Sequence, residues 1–169
     1  METELLTPDE AGLQKAAGLI REGQVVGMPT ETVYGLAADA TNRDAVAKVF
    51  AAKGRPMDNP LIVHISSMEE LEQAVSRVPE LVASLADAFW PGPLTMIMPK
   101  SELIPMETSG GLDTVGVRMP GGAGIDPHSR SAHCRPLRKP IRLPQPHHCT
   151  ACAGGHAGTD PGDPGRWCV

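Results

Sequence analysis

Between residues 29 and 64 the chain places Thr30 and Thr32, then Lys53 and Arg55, then Asn59 and His64, along short apolar segments. Hydroxyls, a compact cation beside a planar one, an amide and an imidazole together suit an anionic nucleotide and a small polar substrate. Taken singly, each also has a plainer use. Thr30 and Thr32 follow a short apolar run, at the kind of strand end where open α/β sheets bind ligands; there they can hold a phosphate or an amino-acid head group, or satisfy a turn. Lys53 and Arg55 flank Gly54 at an expected helix C-terminus, where they can grip phosphate oxygens or rest in solvent against the helix dipole. Asn59 before Pro60 is a turn former. His64 lies among Ile62, Val63 and Ile65, a setting that fits a packed core residue as well as a ligand. Arg118 ends the run Thr114–Val117, and a partly buried Arg wants an anionic partner.

The elements that position these residues read as alternating helices and strands. Thr7 can cap a helix with Pro8 in its first turn and Glu10 closing a capping box. Leu13, Ala16, Ala17 and Ile20 then recur at helical spacing up to Gly23. A strand is expected over Val25–Met28, a helix over Asp44–Lys53, and a strand over Leu61–Ile65. Two helices are expected over Ser67–Val75 and Pro79–Phe89, then strands over Pro93–Met98 and Thr114–Arg118. That alternation predicts an α/β fold with a twisted, mostly parallel or mixed sheet and flanking helices, incomplete at the C-terminus.

Other nucleotide and catalytic patterns are absent. The chain has no Gly-x-x-x-x-Gly-Lys-Ser/Thr loop and no Gly-x-Gly-x-x-Gly after a strand. Residues 1–120 hold one His and no Gly-x-Ser-x-Gly, which argues against a nucleophile triad.

Composition divides the 169 residues into two unlike parts. Residues 1–120 carry 9 basic and 17 acidic side chains, a formal charge of −8, so any RNA contact needs a local basic patch. They contain no cysteine, which fits a reducing compartment. An acidic N-terminus without an apolar h-region argues against a secretory signal. No apolar run approaches the roughly 18 residues that span a bilayer. A soluble, cytoplasmic protein with no membrane partner is expected. Residues 121–169 carry 6 basic and 3 acidic residues, 8 Gly and 7 Pro, with no Phe, Tyr or Met. Such a segment lacks the apolar surface to offset its ordering entropy, and disorder is expected there.

In combination, five ordered segments resemble the YrdC-type L-threonylcarbamoyladenylate synthases: PTETVYGL (29–36), KGRP (53–56), DNPLIVHI (58–65), WPGPLT (90–95) and GLDTVGVRMP (111–120). The resemblance runs from about residue 10 to residue 120. It implies a YrdC-like fold and synthesis of threonylcarbamoyl-AMP from L-threonine, bicarbonate and ATP, with pyrophosphate released. A downstream transferase complex then modifies certain tRNAs. By position, Thr32 and His64 belong to the threonine pocket and Arg118 grips the threonine carboxylate. Lys53, Arg55, Asn59 and Thr114 contact ATP, the first two on its phosphates and as the catalytic pair, with Mg²⁺ accompanying the polyphosphate. The implied chemistry uses no enzyme nucleophile. The threonine amine attacks bicarbonate, and the resulting carbamate attacks the α-phosphorus.

After Pro120 the family pattern stops. Where the family continues with a helix, a strand and a Pro-Ser-x-Asn segment, this chain reads GGAGIDPHSRSAHCRPLRKP. A frameshift near codon 121 accounts for both the loss and the odd composition. Read one nucleotide later with synonymous codons, the stretch from Gly121 becomes Val-Ala-Gln-Ala-Leu-Ile-Arg-Thr-Ala-Gly-Leu-Pro-Ile-Ala-Ala-Pro-Ser-Ala-Asn, the missing segment. A chain so altered is expected to fold poorly or to be inactive. Two alternatives stand beside the enzyme: a non-catalytic double-stranded RNA- or tRNA-binding module, and a regulatory protein whose tail binds zinc through Cys149 and Cys152.

Overall fold

The computed structural model describes residues 3–7, 9–121 and 167–168. A two-residue strand β1 (Leu5–Leu6) precedes helix α1 (Glu10–Arg21), whose Leu13, Ala16, Ala17 and Ile20 all turn inward. The cap expected at Thr7 falls at Asp9 instead. Asp9 Oδ1 accepts from the Gly12 N–H at 2.8 Å, while the Thr7 hydroxyl donates to Asp9 Oδ2 at 2.6 Å. Aspartate caps at least as well as threonine. The Thr7 carbonyl also lies 1.9 Å from where a Cβ on residue 12 would stand, so this helix entry requires glycine there.

Strands β2 (Val26–Pro29) and β3 (Tyr34–Ala37) form an antiparallel hairpin in register Val26↔Ala37 to Pro29↔Tyr34. The backbone of β7 (Trp167–Cys168) pairs antiparallel with β1 and β2, giving a sheet in the order β1-β7-β2-β3. Helix α2 (Arg43–Lys53) starts at Asn42, whose Oδ1 accepts from the N–H groups of Asp44 and Ala45, and stops at Gly54 in the left-handed region (φ 58°).

A second sheet has the order β4-β6-β5, from β4 (Ile62–His64), β5 (Met96–Pro99) and β6 (Thr114–Arg118). Central β6 runs parallel to β4 and antiparallel to β5, so the α/β architecture is of the mixed kind. Helices α3 (Met68–Ala74) and α4 (Glu80–Phe89) lie between β4 and β5 in the chain. Leu71 from α3 and Val82 from α4 share one core with Val63, Val115 and Val117 of this sheet. A smaller core joins α1 to Val26, Met28 and Leu6. Among the described residues no helix is long and apolar enough to cross a membrane. The expectation of disorder over 121–169 lies outside the described residues except at 121 and the short strand β7.

Candidate functional site

Alternation along the second sheet decides which side chains share its open face. On β4, Val63 is buried while Ile62 and His64 point the other way; on β6, Val115 and Val117 are buried. Period-two geometry therefore puts Thr114, Gly116 and Arg118 on the same face as Ile62 and His64. The register sets His64 directly beside Arg118 and Ile62 beside Gly116. His64 of β4 and Thr114 and Arg118 of β6, the latter two some 50 residues further along the chain, thus share one surface.

Arg118 is 8% exposed and three protein groups hold it. Its Nε donates to the Gly92 carbonyl at 3.1 Å, and its Nη2 donates to Thr32 Oγ1 at 3.3 Å and to Glu31 Oε1. The Glu31 contact is a buried ion pair. Nη1 makes no hydrogen bond to the described residues. Burial makes the charged guanidinium less favourable and lowers its pKa, yet it stays protonated at any working pH.

The Thr30–Val33 loop brings Thr32 and Glu31 to Arg118. Thr30 Oγ1 donates to the Val33 carbonyl at 2.7 Å and accepts from the Val33 N–H at 3.1 Å, closing the loop between β2 and β3. So Thr30 has the turn-forming use that the sequence left open, while the Thr32 hydroxyl reaches Thr30 at 3.0 Å and the guanidinium. The WPGPLT segment supplies the Gly92 carbonyl. Trp90 Nε1 donates to the Leu94 carbonyl at 2.7 Å, and the Gly92 N–H donates to the Met119 carbonyl at 2.8 Å. A Cβ on residue 92 would stand 2.3 Å from the Phe89 carbonyl, so glycine is required for this turn.

His64 is open to solvent on one side, but the protein around it desolvates the imidazolium and pushes its pKa below the usual histidine value. It is a neutral hydrogen-bonding group near pH 7, not a packed core residue.

Lys53 and Arg55 lie on either side of the Gly54 cap, both exposed. Neither has a hydrogen-bond or ion-pair partner among the described residues. Partial burial, and then the neighbouring Arg55 charge, lower the Lys53 pKa. Two adjacent cations without a counter-ion among the described residues present a local positive charge that can attract an anion. Asn59 is exposed on the following loop, which packs against residues 105–111: the Leu61 N–H donates to the Thr108 carbonyl at 2.9 Å. Gly110, at φ 62°, has no room for a Cβ, which would meet the Asp58 carbonyl at 2.8 Å. Among the described residues no hydrogen bond or ion pair joins the Lys53–Arg55 pair to the Arg118 cluster, so the candidate site residues fall in two groups, one around Arg118 and one around Gly54.

The residue that motif reading missed is Glu31. The signal was present: Arg118 at the end of an apolar strand needs an anionic partner, and Glu31 is the acid within PTETVYGL. Among the described residues no group of three or more His, Cys, Asp or Glu side chains is placed to hold a metal. The zinc alternative at Cys149 and Cys152 lies outside the described residues.

The sequence model of the Sua5/YciO/YrdC family, described as telomere recombination, matches residues 18–124. A threonylcarbamoyl-AMP synthase from Pyrococcus abyssi is 57% identical over 112 residues, which is 66% of this chain and 33% of the relative. One from Bacillus subtilis is 49% identical over 119 residues, 70% of this chain and 34% of the relative. The chain thus spans about a third of the length of these two relatives. The crystal structure of P. abyssi Sua5 complexed with L-threonine superposes with a TM-score of 0.65 at 57% identity, covering 66% of this chain and 33% of that one. Escherichia coli YciO shares the fold at 20% identity and a TM-score of 0.59, over 67% of this chain and 55% of that chain. With the matched region covering well over half of its residues, this chain belongs to the Sua5/YciO/YrdC family.

Proposed function

We infer that this chain carries the amino-acid and nucleotide contacts of a threonylcarbamoyl-AMP synthase, with residues 1–120 as its family domain. The observation that carries this reading is the buried Arg118, held against Thr32 and level with His64 on an open sheet face. A guanidinium with an unpartnered end suits a carboxylate, and the hydroxyl and neutral imidazole suit a small polar side chain. The likeness to relatives of that name, and to a P. abyssi structure complexed with L-threonine, supports L-threonine as the amino acid.

In this reading Lys53 and Arg55 neutralise the ATP phosphates, and Asn59 and Thr114 make further ATP contacts. The amine of bound threonine attacks bicarbonate to give a carbamate with loss of water. A carbamate oxygen then attacks the α-phosphorus and pyrophosphate leaves. No side chain acts as a nucleophile; the protein orients the partners and offsets charge. Mg²⁺ enters with ATP as part of the substrate, bound to its phosphates. The product passes to a tRNA-modifying transferase complex in the cytoplasm, and any tRNA contact uses the exposed cations beside Gly54. Turnover by this chain is impaired, because the residues after Pro120 do not continue the family pattern.

Calorimetry with L-threonine and with ATP, paired with an assay of pyrophosphate release, tests both parts. Threonine binding that is lost in Arg118→Gln supports the site. Absence of threonine binding by the unaltered chain overturns it. Pyrophosphate release requiring both threonine and bicarbonate, at a rate typical of the family, overturns the impairment.

A further inference from the structure

The Glu31 side chain is 10% exposed, and its two oxygens differ sharply. Oε1 accepts from Arg118, whereas Oε2 is buried with no hydrogen-bond partner among the described residues. Buried carboxylate oxygens in native proteins are nearly always satisfied, and an ionised one without a donor is costly. Beside it, Arg118 Nη1 has donors with no hydrogen-bond partner among the described residues. An unmet acceptor and an unmet pair of donors therefore sit on the two halves of one ion pair. Together they complement a ligand that carries a cation and a carboxylate close together.

Charge balance sharpens the choice. Arg118 and Glu31 sum to zero, so a zwitterion leaves the buried site neutral. A plain carboxylate leaves it negative and a plain amine leaves it positive, each an uncompensated charge in a mostly buried place.

We propose that Glu31 is the specificity residue for the ammonium group of an α-amino acid, with Oε2 accepting from the ammonium while Arg118 takes the carboxylate. This rests on the reading of the Thr32–Arg118 pocket as an amino-acid site and assigns its discrimination between zwitterions and simple acids. The clamp holds the nitrogen, as ammonium, beside the loop that carries Thr32, and the proton passes to bulk solvent before the free amine attacks bicarbonate.

The test measures binding of L-threonine, 3-hydroxybutyrate (no amine) and 1-amino-2-propanol (no carboxylate) to the full chain and to Glu31→Gln. The unaltered chain should prefer threonine to both analogues by at least about tenfold, the scale of one charge-assisted hydrogen bond. Glu31→Gln should weaken threonine by about 10- to 150-fold while leaving 3-hydroxybutyrate unchanged or tighter. If Glu31→Gln tightens both acids equally, Glu31 only blocks Arg118 and the proposal fails. If it weakens both equally, Glu31 only supports the fold, and the proposal fails again. Should Glu31→Gln unfold, the unaltered chain still decides: equal binding of threonine and 3-hydroxybutyrate overturns the ammonium role. No binding of any of the three, by a folded chain, overturns the amino-acid site itself.

Discussion

At the scale of single residues, the two cations beside Gly54 and the histidine on β4 make separate predictions. Lys53 and Arg55 are exposed and have no partner among the described residues, so removing either should change stability by less than about 0.5 kcal/mol. Each charge-assisted hydrogen bond to phosphate is worth about 1.5–3 kcal/mol. Lys53→Ala and Arg55→Ala should therefore each weaken ATP by about tenfold or more without moving the unfolding midpoint, as calorimetry beside thermal denaturation will read. Unaltered ATP affinity in both variants would remove the phosphate role. His64 predicts a pH effect. Its folded pKa lies below the ordinary value because protein surrounds it, so the unfolded chain takes up the proton first as pH falls. By linkage, its contribution to stability is complete above about pH 6.5 and declines as pH drops from there toward the folded pKa. Urea denaturation between pH 8 and pH 5 should show this decline, and His64→Gln should flatten it. Parallel curves for the two proteins would mean that His64 titrates alike in both states.

At the scale of elements, stability rests on caps and close approaches. Asn42 Oδ1 serves two N–H groups at the start of α2, and Asn42→Ala should cost about 1 kcal/mol in a urea titration. Gly110→Ala should cost more, since it combines a positive φ with a Cβ at 2.8 Å from the Asp58 carbonyl. It should also disturb Asn59, and so ATP affinity, because the crowded carbonyl belongs to the neighbouring residue. A stability loss no larger than that of Asn42→Ala would show that the loop gives way freely. These elements also mark what the sequence made legible. Helices with strong periodicity or a Gly stop, such as α1 and α2, were readable within a residue or two, and β6 was readable to the residue. Strand β3 was not: Tyr34–Ala37 begins inside the PTETVYGL motif, contains a glycine and lacks β-branched residues, and its pairing with β2 makes it a strand. The start of β5 at Met96 rather than Pro93 has a similar cause, since Trp90 Nε1 ties the Leu94 carbonyl into the preceding turn. Of the site, residue types were visible in the motifs. The Arg118–Glu31 partnership was not, because it joins positions 87 residues apart.

Over the whole molecule, that same partnership links two sheets with separate cores. Glu31 belongs to the loop between β2 and β3, and Arg118 ends β6 of the second sheet. Two other long-range side-chain bonds, Arg43–Glu107 and Thr108–Ala40, tie the neighbourhood of α2 to the 105–111 loop, while the bonds of Arg118 to Glu31 and Thr32 tie the hairpin loop to β6. Breaking one side of a buried ion pair strands the other charge, at a cost of about 3–5 kcal/mol, whereas replacing both by apolar groups is often close to neutral. Arg118→Leu alone and Glu31→Leu alone should therefore each lower stability by about that amount, and the double variant should recover most of it. If the pair stabilises the molecule only through its mutual charge, urea denaturation of the four proteins will show a coupling near the full single-variant loss. If the double variant is as unstable as the two single losses added together, the residues act independently. The contacts of Arg118 with Gly92 and Thr32 would then be what holds the sheets together. Recovery of stability without recovery of threonine binding would place a functional demand on this pair, kept at a cost that an apolar contact would avoid.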